Sequence, residues 1–175
     1  MSFEDIYRTH FEFVWRTLRR MGVNERDIKD GGQKVFLIAF QRLADFEGRS
    51  SLKTWLCGIA LRVASDYRRS AIARHEVLVD ETPRAIGAEV CQLELLERHE
   101  RLAELDAVLS ELPLDQRTVL VLFELEEMSG DDIANLLGVA EGTVRSRLRL
   151  GRQNFSRVVA ARRAGSADVA AGGDG

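Results

Sequence analysis

Apolar residues recur every three to four positions along nearly the whole chain, the spacing of helices with one buried face. Phe3, Tyr7, Phe11, Val14, Leu18 and Met21 step by four and three, which predicts a first helix closed by Gly22. A second helix is predicted over residues 24–43, with Ile28, Val35, Phe36, Ala39, Phe40 and Leu43 turned inward. Residues 46–51 read as a loop whose last residue, Ser51, caps the next helix. That third helix carries Leu52, Trp55, Leu56, Ile59, Val63 and Tyr67 inward and runs to residue 69.

Residues 72–92 lose this periodicity and gather turn formers, among them Asp80, Pro83 and Gly87, so they read as a linker. Helical spacing resumes at residue 93, stops at Pro113, and returns over residues 116–128, 131–137 and 141–161. No segment alternates with period two, so no strand is expected. The tail, residues 164–175, is small, polar and glycine-rich, the composition of a disordered terminus. The expected fold class is all-α. One small helical domain covers residues 1–71 and a second covers residues 93–163, joined by a flexible acidic linker over residues 72–92.

Charge changes the picture. The 175 residues carry a net charge of −3, which taken alone argues against a nucleic-acid partner. The distribution argues otherwise. Residues 1–71 hold 13 bases against 9 acids, residues 72–112 hold 4 against 10, and residues 142–163 hold 7 arginines and no acid. Local potential rather than net charge governs contact with phosphates. Only Lys29, Lys34 and Lys53 are lysines. Arginine suits bidentate contact with phosphate or guanine, although a GC-rich genome explains the bias equally well.

Other chemistry is excluded more simply. No apolar run approaches the ~20 residues of a membrane-spanning helix, so no membrane insertion is expected. The acidic, amphipathic start lacks the basic residues and apolar core of a signal peptide, so a soluble, cytoplasmic protein is expected. Cys57 and Cys91 lie far apart and suggest no disulfide framework. His10, His75 and His99 have no ligand spacing with each other or with the cysteines, and no phosphate-cradling glycine loop occurs. Neither a metal, nor a cofactor, nor an enzymatic reaction is expected.

The most specific stretch is residues 129–152. Ser129 stands three residues before Asp132, the pattern of a capped helix start. Ile133, Ala134 and Leu137 form that helix's inner face, Gly138 marks a sharp turn, and Gly142-Thr143-Val144 opens the next helix. Short helix, glycine turn and second helix make a helix-turn-helix pattern, with a plain helical hairpin as the simpler reading. On the second helix Val144, Leu148, Gly151 and Phe155 share one side. Arg145, Arg149 and Arg152 then line one flank, Arg147 the other, and Ser146 points outward, as a helix lying in a major groove requires. A solvated basic face normally mixes in acids one turn away, and none is expected here. In the first domain Lys53, Arg62, Arg68 and Arg69 gather on the third helix with Trp55 and Tyr67 among them, candidates for stacking on unpaired bases. Trp55 suits a core position as well.

Two stretches together resemble a known family. Residues 27–37, Asp-Ile-Lys-Asp-Gly-Gly-Gln-Lys-Val-Phe-Leu, and residues 46–56, from Phe46 through Trp55, resemble conserved regions 2.2 to 2.4 of bacterial sigma factors. Leu112-Pro113, Gln116-Arg117, Ile133-Ala134 and residues 142–148 resemble region 4. With two domains and a short linker, the chain resembles the extracytoplasmic-function (ECF) group of the sigma-70 family. The resemblance implies a factor that docks on core RNA polymerase, directs it to promoter DNA, and is controlled by an anti-sigma factor. It implies that Asp27, Asp30, Gln33, Lys34, Phe36 and Phe40 lie on or beneath the polymerase-docking helix. Arg49, Ser50, Lys53, Trp55 and Arg62 would meet the minus-ten strand, and Thr143, Arg145, Ser146, Arg147, Arg149 and Arg152 the minus-thirty-five duplex. Five positions depart from the family pattern: apolar residues are usual at Gly31 and Gly32, an acid at Lys34, asparagine at Arg62, and a capping side chain at Ala140, before the last basic helix. Two mid-helix glycines predict a docking helix that is loose before it binds. Two other readings share the helix-turn-helix. One is a stand-alone regulator, which would not need the aromatic helix containing Gln33. The other is a sigma-mimicking adaptor that sequesters an anti-sigma factor, which would not need the arginine-rich helix.

Overall fold

The computed structural model describes residues 2–48, 50–73 and 92–171, which form seven α-helices and no strand. Arg49 and residues 74–91, which hold most of the expected linker, lie outside the described residues, as do residues 172–175. The chain divides into two compact units, residues 1–83 and 84–175.

The first unit packs three helices against one another: α1 (Phe3–Arg20), α2 (Glu25–Arg42) and α3 (Leu52–Ala73). Helix α1 starts on a capping box. The Ser2 hydroxyl accepts from the Asp5 N–H, and the Asp5 side chain accepts in return from the Ser2 N–H. The Ser2 hydroxyl also donates to the Asp5 carboxylate at 2.9 Å, and this bond, with the one from the Ser2 N–H, favours the ionised form and holds the Asp5 carboxyl below its ordinary value. At its far end Gly22, at φ 78°, makes the left-handed turn into α2. Ile6, Val14 and Leu18 from α1, Met21 just past its end, Ile28 and Val35 from α2, and Leu56 and Val63 from α3 are fully buried and form the core.

Helix α2 is continuous through Gly31 and Gly32. Both are buried where α2 crosses α1. A Cβ on Gly31 would sit 3.3 Å from Leu18 Cδ1, and one on Gly32 would sit 3.6 Å from the Trp15 ring. At Gly31 the missing side chain leaves room for Leu18 of α1. The turn after α2 is a short 3₁₀ segment, Leu43–Asp45. Ser51 caps α3 as expected, its hydroxyl accepting from the Thr54 N–H at 3.0 Å. Helix α3 runs past residue 69 to Ala73, because Ala71, one heptad beyond Ala64, continues its buried face.

The second unit holds α4 (Gln92–Ser110), α5 (Leu114–Leu120), α6 (Gly130–Leu137) and α7 (Glu141–Ala171). Pro113 starts α5 rather than merely ending α4, so α5 begins two residues before the expected point. It does not reach residue 128 as a regular helix. Residues 121–125 widen into a π-helical turn, in which the Glu126 N–H bonds the Val121 carbonyl five residues back at 3.1 Å. The chain leaves that turn through Glu127, whose φ of 56° is left-handed. Helix α7 extends through Ala171, so residues 164–171 are helical and not a disordered tail. The alanines at 160, 161, 164, 167, 170 and 171 are the strongest helix formers and outweigh Gly165 and Ser166.

Candidate nucleic-acid interface

Helices α6 and α7 form the expected helix-turn-helix. The Ser129 hydroxyl accepts from the Asp132 N–H at 3.1 Å and starts α6. Gly138, at φ 65°, caps it in the left-handed conformation that the tight turn needs. Ile133 and Ala134 on α6 and Val144 and Leu148 on α7 are buried between the helices. Gly151 is buried too, and a Cβ there would sit 3.2 Å from the Gln116 carbonyl of α5. Phe155 is half-buried on the same side.

This packing turns Arg145, Ser146 and Arg149 out to solvent, with Thr143 and Arg147 half-buried at the edges. The arginines are not alike. Arg145 pairs with Glu141 one turn back at 3.2 Å, so the acid-free face expected from residues 142–163 begins one residue too late. Arg147 reaches Asp115 of α5 at 3.2 Å. Arg152 binds Glu124 of the π-helical turn through Nε at 2.7 Å and Nη2 at 2.6 Å, with its guanidinium 5.5 Å above the Phe123 ring. Arg149 is exposed and has no ion-pair partner among the described residues. Sequence periodicity put the helix faces in the right places, but the paired acids Asp115 and Glu124 lie far off in sequence and carry no signal.

In the first unit, Ser50, Lys53 and Arg62 are exposed, and Trp55 is half-buried with its ring 5.1 Å from that of Phe46. Lys53 extends over the Phe13 ring, Nζ 5.2 Å from its centroid, which ties the start of α3 to α1. Burial, and secondarily the Lys53 charge, hold the nearby His10 imidazole below its ordinary value. Arg68, expected among the outward basic residues, is half-buried and donates to the Met21 carbonyl at the end of α1.

The docking helix divides. Phe36 is buried beneath α2 against Tyr7, ring centroids 4.7 Å apart, and cannot touch a partner directly. Phe40, read as an inward residue, is 61% exposed, lying edge-on to Phe3 at 5.0 Å. Asp30, Gln33 and Lys34 are exposed and Asp27 half-buried. Lys34 spans to α3, with Nζ 3.8 Å from Asp66 Oδ2 and 5.8 Å from the Tyr67 ring centre. Leu37, 57% exposed between Gln33 and Phe40, was missed. Its position half a turn from the Ile28–Val35–Ala39 stripe was the available signal.

The geometry defines a two-part helical protein with a helix-turn-helix in its second part and an exposed mixed apolar and polar helix in its first. The family model for Sigma-70 region 2 matches residues 6–74, and that for Sigma-70, region 4 matches residues 102–155. The chain is 33% identical over 88% of its length to the ECF RNA polymerase sigma factor SigE of Mycolicibacterium smegmatis, spanning 60% of that protein. It is 30% identical over 83% of its length to the ECF RNA polymerase sigma factor SigX of Bacillus subtilis, spanning 77% of it. Among solved structures, the fold is similar to the sigma factor RpoE in complex with the anti-sigma factor NepR from Bartonella quintana. That match has a TM-score of 0.68 at 21% identity, covering 90% of this chain and 96% of that one. CnrH in complex with the cytosolic domain of CnrY gives 0.62 at 24%, covering 91% and 88%. The chain belongs to the sigma-70 family, in its extracytoplasmic-function group.

Proposed function

We propose that this chain is a promoter-recognition factor that joins core RNA polymerase, carries no catalysis of its own, and is held in check by an anti-sigma factor. The carrying observation is the presence of a region 2 and a region 4 match in one chain, with a helix-turn-helix whose Arg149 is outward and unpaired among the described residues. In this reading the exposed face of α2, with Asp30, Gln33, Lys34, Leu37 and Phe40, meets the polymerase. The start of α3, with Ser50, Lys53 and Arg62, takes the separated minus-ten strand, and Trp55 supports it from its half-buried position. Helix α7 enters the minus-thirty-five duplex through Thr143, Arg145, Ser146 and Arg149. Two solved relatives of the same fold are complexes of a sigma factor with an anti-sigma factor and of CnrH with a CnrY domain, which supports control by a partner of that kind.

Run-off transcription with purified core polymerase and genomic fragments tests the whole reading: discrete transcripts are expected only when this chain is added. A stand-alone regulator would instead shift duplex DNA tightly by itself at physiological salt. Arg149→Ala tests the duplex-reading role. Its exposure predicts an intact fold and a loss of about 1–3 kcal/mol in promoter binding by the holoenzyme if it reaches a base edge. A phosphate contact would instead give a uniform loss and a salt slope lower by about one. Unchanged affinity, base preference and salt slope would remove α7 from the duplex.

A further inference from the structure

The acids of the second unit sort the arginines of α7, an inference that rests on reading that unit as the duplex-binding part. Arg147 and Arg152 each face a carboxylate contributed from outside their own helix, Asp115 in the first turn of α5 and Glu124 in the π-helical turn. Arg152 is held most firmly, by two nitrogens on one carboxylate oxygen and by stacking over Phe123. Arg149, between them in sequence, faces no acid among the described residues.

A carboxylate against a guanidinium has two effects on an approaching phosphate. It occupies the donors the phosphate would use, and its own charge repels the phosphate. Both carboxylates are about half-exposed, at 51% and 42% of their side-chain surface, so each pair can open toward water and a phosphate can displace the acid. Each phosphate gained by Arg147 or Arg152 then costs an existing ion pair, on any DNA sequence. A base-edge contact by Arg149 carries no such cost. We propose that Asp115 and Glu124 are specificity-determining residues: they restrain sequence-independent phosphate binding by Arg147 and Arg152, leaving discrimination to the outward residues of α7.

The experiment measures binding of the full chain, free and assembled with core RNA polymerase, to two 30-base-pair duplexes across a salt series. One duplex is of random sequence, and the other is selected by the holoenzyme from a random pool. The Asp115→Asn, Glu124→Gln double variant should bind the random duplex about three- to tenfold more tightly at low salt, with a slope steeper by about one to two. The selected duplex should gain less, so the ratio between the two falls. Glu124→Asp, which keeps the charge, should keep the wild-type slope. An unchanged slope and affinity on the random duplex overturns the proposal, and so does weaker binding, which would make the pairs props for arginines already in contact. If the double variant melts early, Glu124→Gln alone carries the same reading with a slope change of about one. Arg149→Ala run alongside separates the layers. Lost preference there with an unchanged double variant sinks the sorting alone, and unchanged preference sinks the duplex-reading role with it.

Discussion

Alanine at Gly32 should stabilise the first unit, while alanine one residue earlier should weaken it. Glycine inside a helix costs about 1 kcal/mol against alanine, so propensity alone favours both changes equally. The surroundings separate them. At Gly32 the new Cβ would find Trp15 Cε3 and Cζ3 at 3.6 and 3.7 Å, ordinary van der Waals contact. Nothing has to move, and the unit should gain about 1 kcal/mol, or about 4–8 °C for a domain of this size. At Gly31 the new Cβ would sit 3.3 Å from Leu18 Cδ1 and 3.6 Å from Tyr67 Cε2. Leu18 is completely buried and cannot retreat without displacing core neighbours. Overpacking of this kind costs about 1–3 kcal/mol, more than the propensity gain, so a net loss of about 1 kcal/mol is expected. Urea unfolding followed by tryptophan fluorescence reads this unit alone, because the two tryptophans, Trp15 and Trp55, both lie in it. Equal stabilisation by both alanines would refute the close-crossing account and leave Gly31 without a packing reason.

Lys34→Glu should change affinity for core polymerase and lower stability by less than about 1 kcal/mol, since it replaces an exposed ion pair to Asp66 with a repulsion. Equal core affinity of both variants across a salt titration would remove Lys34 from the interface. Glu127→Gly should raise the melting point of the second unit, followed by circular dichroism, because the left-handed φ of 56° costs a non-glycine residue about 1 kcal/mol. The depressed His10 imidazole binds its proton less readily folded than unfolded, so its contribution to stability is present above the unfolded value near 6.5 and lost as pH falls through it. Urea midpoints at pH 7.5 and 5.5 should therefore differ more for the native chain than for His10→Gln.

Periodicity made the helices legible, because a buried stripe repeats whatever it packs against. Ile28, Val35 and Ala39, or Val144 and Leu148, needed no knowledge of their neighbours. What failed depended on neighbours far away in the chain. Gly31 read as a weak point because propensity is local, and Leu18, which fills the space beside it, lies on another helix. Arg68 read as an outward cation because the Met21 carbonyl that receives it is 47 residues away. Phe36 and Phe40 looked equivalent as apolar residues four apart, yet Phe36 falls over Tyr7 and Phe40 over Phe3 at the very start of α1, where cover runs out. The π-helical turn had no local mark. Val121 and Leu122 are buried in that turn while Glu124 is left outside.

Helix α7 is splinted along its back. The close seat of Gly151 on the Gln116 carbonyl, Asn154 to Gln116 and Arg162 to Glu111 fasten it over 11 residues, about 16 Å of its length. A rod fixed at several points cannot pivot about any one of them. In the proposed duplex-bound state, the angle at which its front end is offered to a groove is therefore set from behind. Glu111 lies some 50 residues before Arg162 and far down the rod from Thr143, yet it helps aim that front end.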